Sequence, residues 1–488
     1  MGGFRLCNPL FFGKIRDSAR RDPGFFLFFD DSLRAAIHNP RVPRSCVAAF
    51  SVPQGITRML PEFQGDSVSQ RCLVQDALRL ADVEEKHRRV RALLKSTDSE
   101  ALLLQDPSSL AWISGGADLS RSNAEGCQTS VFVTDDARLF ATNAVDATQL
   151  FERDAFGLGF QLKHREWFQP HSALVSDLCR GRRVLSDSGF EGTRPATRQI
   201  ARIRLPLTEL ETDRLRRLAQ VLVHAVEVTC GHVRRGVTEA AIAGELSHRL
   251  YRRTVTPLRI QVAADGRNER YRHWTFGEDP VEHFVSVACV ARRWGLHVAV
   301  HRTVCCGTIP QSLREAHQKA VLMHATGMFF SANGQPLNAV WPRVQRIYEK
   351  FGMPSEWQLS DQADVLGYRC PEHQLTPSSE YLLTAPVPIY WHPSVAAAMP
   401  GDTILVTEKG MEPLTLSSAW PELIVQVRGN PVRCPGILVI PDKDVEQQAD
   451  RGEIAEFSHL DFPDEDSGSS RLDSVWEMPL EVGRTVRF

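Results

Sequence analysis

The sequence predicts an α+β protein built as two globular units between two poorly structured ends. Its 488 residues leave room for two or three units at ~100–200 residues each. Short strand-like runs alternate with amphipathic stretches between residues 80 and 205. After that, Thr208-x-x-Glu211 forms a capping-box pattern ahead of a long apolar-faced stretch, and longer strand-like runs appear only downstream. Apolar residues make up 42% of the chain and charged residues 24%, the balance of a protein with a sizeable core. The 57 basic and 59 acidic residues nearly cancel, so no global field argues for nucleic acid or an acidic membrane surface. The two long uncharged stretches, Ala320–Pro342 and Tyr381–Gly401, carry too many polar residues, glycines and prolines to span a bilayer.

The elements follow in order. Residues 1–79 mix Arg, Pro and Phe without a period and read as a disordered arm or an over-long start assignment. Phe25–Phe29 is too short for a signal-peptide core. Val83, Val90, Leu93 and Leu94 predict a helix over Ala81–Lys95, and Ala101–Leu104 a strand. Val131–Val133 and Leu139–Ala141 predict a hairpin, and Val184-Leu185 another strand. In the second unit Leu215, Leu218, Leu222, Ala225, Val226 and Thr229 line one helix face that Gly236 is expected to end. Thr238-Glu239 opens the next helix. Phe284–Val290 and Leu296–Val304 read as strands, 312–327 and 338–351 as helices, and Glu408-Lys409-Gly410 as a turn between strands. Residues 441–488 are acid-rich and read as a solvated tail. Eleven cysteines without a CxxC fit neither a disulfide framework nor thiolate zinc, so the reducing cytoplasm is the expected compartment.

Leu207–Leu250, with Glu211 at the helix start and the Arg235-Gly236-Val237-Thr238-Glu239 link, resembles the opening helices of the pita-bread metallopeptidase family. That family includes aminopeptidase P, prolidase, methionine aminopeptidase and creatinase. Residues 80–205 look like the α/β N-terminal domain of its creatinase/prolidase branch, which sets the expected units at 80–205 and 207–440. The resemblance implies a curved antiparallel sheet flanked by helices, a homodimer, and two metal ions held by two Asp, one His and two Glu. In the family's D-x-G-x4-G-Y-x-x-D-x-T-R hairpin, Gly295 and Arg302 fall at their offsets, but the two Asp positions are Ala288 and Ala299. The His of H-x-x-G falls on Asp364. The E-P-G-x-Y segment is read on Ala385-Pro386-Val387-Pro388-Ile389-Tyr390, without a Glu, and the final ligand Glu on Gly401. Tyr271-Arg272-His273, Cys289–Leu296 and Trp391-His392-Pro393-Ser394 resemble a divergent, ligand-poor branch.

A methyl group coordinates nothing, so this reading expects no metal cofactor and a degenerate site at Ala288, Ala299, Asp364, Ala385 and Gly401 converging on one pocket. The expected function is a non-catalytic protein holding a peptide, small molecule or partner in the inherited cleft, with no nucleic-acid or membrane partner. The alternative is a creatinase-type, metal-independent C–N hydrolase with His273, His297 and His301 as candidate acid–base residues, and Arg302 and Asp364 as candidate substrate-binding residues. His297 and His301 flank Ala299 by two residues each, so alternation puts all three on one strand face. A third reading keeps an aminopeptidase with relocated ligands. Each candidate also has a plain structural role: a surface or hydrogen-bonded one for His273, polar filling for His297 and His301, a local acid or backbone carbonyl partner for Arg302, and a helix or turn cap for Asp364.

Overall fold

The computed structural model describes residues 76–117, 119 and 128–441. The expected arm up to residue 75 and the tail after 441 lie outside the described residues. The first helix, α1 (Ala77–Ser96), begins three residues before the expected boundary at 80. Asp76 accepts a hydrogen bond from the Arg79 amide at 3.0 Å and caps it. Then come β1 (Ala101–Leu104), α2 (Pro107–Ile113), β2 (Ser130–Thr134), β3 (Arg138–Asn143), α3 (Ala144–Gln149), β4 (Phe160–Arg165), α4 (His171–Cys179), β5 (Val184–Ser186), β6 (Arg194–Pro195) and α5 (Thr197–Arg204). The strands form one mixed sheet ordered β4-β3-β2-β1-β5-β6. The expected β2–β3 hairpin is present, with Val131 opposite Phe140. All four β1 residues are fully buried, which explains their unbroken apolar run.

Thr208 caps α6 (Glu209–Gly231) in a reciprocal box, its amide donating to the Glu211 carboxylate at 2.7 Å. The helix stops at Gly231, earlier than the expected Gly236. Gly236 instead sits in the link to α7 (Glu239–Tyr251), where a φ of +84° lets its amide donate to Val281 O at 2.8 Å. The remaining elements are β7 (Thr256–Ala264), α8 (Arg267–Arg270), β8 (Phe284–Arg293), β9 (Leu296–Cys306), α9 (Gln311–Phe330), α10 (Leu337–Lys350), β10 (Ala363–Val365), β11 (His373–Gln374), β12 (Val387–Trp391), β13 (Asp402–Thr407), β14 (Gly410–Pro413), β15 (Glu422–Val427), β16 (Asn430–Pro435) and β17 (Ile437–Ile440). They build sheets ordered β17-β9-β8-β7, β11-β10-β12-β13-β14 and β15-β16. Among the described residues of this region only β17 and β9 pair in parallel, so the sheets are not doubly wound.

Trp294 and Gly295, with φ of +54° and +79°, make the two-residue turn between β8 and β9. A Cβ on Gly295 would stand 2.6 Å from Ala111 Cβ and 2.8 Å from Tyr368 Cδ1, so glycine meets both the turn and the packing. A buried charged group ties the first region to the second. Lys86 Nζ lies 2.6 Å from Asp82 Oδ2 and 2.6 Å from Glu211 Oε1, and the Tyr368 hydroxyl donates to Glu211 at 2.6 Å. Close by, Arg204 pairs with Glu372 and donates to Ser109 Oγ at 3.0 Å. These bonds fix the loop after β10, which carries Asp364. No described helix is long and apolar enough to cross a membrane.

Candidate functional site

Two of the sheets meet where β9 passes the start of β13. The His301 amide donates to Gly401 O at 2.9 Å, the His297 amide to Gly367 O at 3.0 Å, and Thr403 Oγ1 to Ala299 O at 2.7 Å. Pairing across β8 and β9 sets Ala288 opposite His301 and Val290 opposite Ala299, so these four share one face. Ala299 is fully buried against Val290, Leu366 and Tyr390. Tyr390 in β12 is the register partner of Asp364 in β10. A Cβ on Gly401 would stand 2.7 Å from Tyr390 Oη and 2.9 Å from His301 Cβ. Ala288, Ala299, Asp364 and Gly401 are therefore linked through Tyr390 and His301.

Ala385 is not part of this group. It precedes β12 at its far end, where its amide donates to Asn333 Oδ1 at 3.0 Å and Pro386 O accepts from Leu207 at 2.9 Å. The strand then runs toward the site, and the residue it delivers beside Asp364 is His392, immediately after its end. His392 Nε2 lies 3.5 Å from Asp364 Oδ2, and the Tyr390 ring stacks on the His392 ring with centroids 4.4 Å apart. With Asp361 they form a group in which one ligand atom from each residue lies within 4.8 Å of the others. Sequence reasoning missed His392 because two x-Pro dipeptides, Ala385-Pro386 and His392-Pro393, compete for the same motif. Only the strand register separates them.

Asp361 also lines a 370 Å³ pocket with His273, Trp341, Trp357, Gln374 and Pro377. Burial pushes the Asp361 carboxyl up, but His392, its own backbone amide, His273 and Arg259 outweigh burial and hold it below the usual carboxylate value. His273 is exposed, with Nε2 4.0 Å from Asp361 Oδ1.

The other candidate residues are committed elsewhere. His297 Nδ1 lies 3.0 Å from Gly367 O, and burial holds its pKa at about 4. Burial, with the neighbouring charges of His392 and Arg302, drops that of His301 to about 3. An imidazole held this low is a weak base near neutrality. Arg302 faces away from the cleft. Its Nη2 lies 3.0 Å from Asp402 Oδ1 and donates to Thr415 O at 2.5 Å, and its Nη1 donates to His301 O at 2.9 Å. At 1% exposure it is a buried ion-pair residue, out of reach of a substrate. Cys305 and Cys306 are buried, like most described cysteines.

Residues 213–373 match the family model described as metallopeptidase family M24. Among solved structures, the Xaa-Pro dipeptidase from Bacillus anthracis is 17% identical, covers 73% of this chain and 100% of its own, and superposes with a TM-score of 0.60. The prolidase from Pyrococcus horikoshii OT3 is 14% identical over 68% of this chain and 99% of its own, with a TM-score of 0.60. The N-terminal domain of the FACT complex subunit SPT16 from Cicer arietinum is 11% identical over 69% of this chain and 97% of its own, at 0.52. No curated protein sequence matches. At these identities the structural likeness carries the fold, and the chemistry rests on the residues above.

Proposed function

We propose that this pita-bread protein of metallopeptidase family M24 is a binding protein in which the two-metal hydrolytic centre has been dismantled. The observation that carries the reading is the position of Tyr390. Its hydroxyl lies 2.7 Å from where the first side-chain carbon of residue 401 would stand, so a ligand carboxylate there has no room. Ala299 offers only a methyl group, sealed under Val290, Leu366 and Tyr390. Ala288 offers another. Two-metal hydrolysis needs carboxylates that bridge ions ~3.5–4 Å apart, and of the four family positions gathered here only Asp364 carries an oxygen.

What the cleft retains is a pocket of binding size with two indoles and a carboxylate. Trp341 and Trp357 pack edge to face at 5.1 Å on its wall. Asp361 gives it a negative charge at the edge of the His392 group. This chemistry suits a short peptide or small amine, with its ammonium at Asp361 and an apolar part against the indoles. Among the similar structures is a subunit of a complex, so the fold also occurs in a protein named for assembly. The test is hydrolysis of Xaa-Pro dipeptides with added Mn²⁺, Co²⁺ or Zn²⁺, paired with binding of the same peptides and of small amines to the chain held in chelator. The expected result is saturable binding, weakened at least tenfold by Asp361→Asn, without turnover. Metal-dependent turnover abolished by Asp364→Ala would overturn the reading.

A further inference from the structure

The unplaced chemistry in the cleft is the group Asp361, Asp364 and His392. Asp364 is 3% exposed and His392 5% exposed, yet Asp364 Oδ1 and His392 Nε2 are buried without a hydrogen-bond partner. Leaving such atoms unpaired costs about 1–3 kcal/mol each, so a fold that buries them, with the other Asp364 oxygen, Oδ2, 3.5 Å from His392 Nε2, calls for an occupant. Next to them, His301 is 3% exposed, and both of its ring nitrogens lack a hydrogen-bond partner.

We propose that Asp361, Asp364 and His392 form a mononuclear site for a divalent first-row metal, with Zn²⁺ as its best-matched ion. Two carboxylates and one imidazole are an oxygen-and-nitrogen donor set that suits Zn²⁺ and does not select Ca²⁺ or Cu⁺. Two negative charges beside a neutral imidazole balance one divalent cation. Around a tetrahedral ion with bonds of ~2 Å, ligand atoms stand about 3.3 Å apart. Atoms within 4.8 Å of one another are at most about 1.5 Å from that spacing. The surroundings hold the donors in place. Tyr390 stacks on the His392 ring, and the His392 amide donates to Gln362 O at 2.9 Å. The backbone of β10 places Asp364 and Tyr390 in register. Three protein ligands leave a fourth position, and Asp361 borders the 370 Å³ pocket through which water or a ligand group can reach it.

This site uses the ground of the two-ion centre, at Asp364 and at the x-Pro dipeptide His392-Pro393, and differs from that centre in donor types and in number. Its binding does not depend on whether the protein cleaves or only binds peptides, because the test contains no substrate. The untagged full chain, stripped with chelator, is titrated with Zn²⁺ and followed by calorimetry and thermal unfolding. One equivalent is expected, with a rise in the unfolding midpoint. His392→Ala and Asp364→Asn should each weaken binding at least tenfold, while the surface variant Asp98→Asn leaves it unchanged. Should either variant fold poorly, zinc-edge X-ray absorption on the wild-type chain decides the matter. An oxygen-and-nitrogen shell with one imidazole supports the site, and a shell containing sulfur or no imidazole overturns it. No binding at 100-fold excess, binding unaffected by both variants, or two equivalents lost together would each overturn it as well.

Discussion

Replacing Gly401 by alanine adds one methyl group at the point where the two sheets touch. That carbon would stand 2.7 Å from Tyr390 Oη, 2.9 Å from His301 Cβ and 3.1 Å from Tyr390 Cε2. All three distances are shorter than ordinary van der Waals contact. Neither neighbour yields freely, because Tyr390 is packed against Ala299, Leu366 and His392, and His301 is held through its amide to Gly401 O. Overpacking of this kind costs about 1–3 kcal/mol. For a chain of this size ~1 kcal/mol moves the midpoint by ~2 °C, so Gly401→Ala should lower it by ~2–6 °C. Tyr390→Phe removes the nearest of the three atoms. When Tyr390→Phe is combined with Gly401→Ala, the loss should be less than the sum of the singles by ~0.5–2 kcal/mol. The assay is denaturant unfolding of the four chains in chelator, with equal slopes as the control. Strict additivity, or a Gly401→Ala chain as stable as wild type, would refute the idea that Tyr390 fills the space a side chain at 401 would need.

Restoring Ala288→Asp and Ala299→Asp together should lower the midpoint in chelator and yield no peptidase activity with added Mn²⁺, since residue 299 lies in an apolar cluster and residue 401 remains glycine; a stabilised or active double variant counts against this. Lys86→Met should destabilise the fold by about 3–5 kcal/mol in urea unfolding, because it strands the carboxylates of Asp82 and Glu211 in a fully buried site. A loss under ~1 kcal/mol would show that those carboxylates find other partners. Stability should also fall as pH drops. His297 and His317 are each held at about 4 by burial, below the ordinary 6.5, so between pH 6.5 and 4 the unfolded chain binds protons that the folded one refuses. Their joint contribution is present above pH 6.5 and declines at up to about 3 kcal/mol per pH unit toward 4. Unfolding midpoints across that window read the slope, and replacing His317 by Gln should flatten it.

Much of the fold was legible because its anchors are local. A capping box is a four-residue signal, and Thr208 with Glu211 marked the start of α6 correctly. The turn glycine at 295 and the two flanking apolar runs marked the β8–β9 hairpin. Gly236 misled about the helix end because glycine signals a positive φ without saying whether it caps the helix or lies beyond it. The site was legible in part. The offset between residues 288 and 299 is fixed inside one hairpin and transferred from sequence to structure intact. Residues 385 and 392 lie seven positions apart on either side of β12, whose register is set by pairing with β10 and β13. No local pattern encodes that register. Arg302 read equally as a substrate clamp or an ion-pair residue, and only burial on the helix side of β9 decides for Asp402.

Residues 299, 390, 392 and 401 depend on one another physically. An alanine at 299 leaves space beside β10 that Leu366 and the Tyr390 ring occupy. The Tyr390 hydroxyl then needs the space beside residue 401, which requires glycine there. The same ring lies flat on His392 and orients it toward Asp364. Thus the apolar filling around Ala299 supports the donor group at Asp364 and His392. A polar residue returned to 299 or 401 would disturb Tyr390 first and His392 next. Removing the Tyr390 ring should accordingly weaken metal binding at Asp361, Asp364 and His392 although Tyr390 is no ligand. Tyr390→Leu retains apolar filling and loses the stacked ring, so a Zn²⁺ affinity reduced severalfold with an intact stoichiometry of one is the expected result in the same titration. An affinity equal to wild type would mean that His392 is held by its backbone alone, and that filling and donor group are independent features of the cleft.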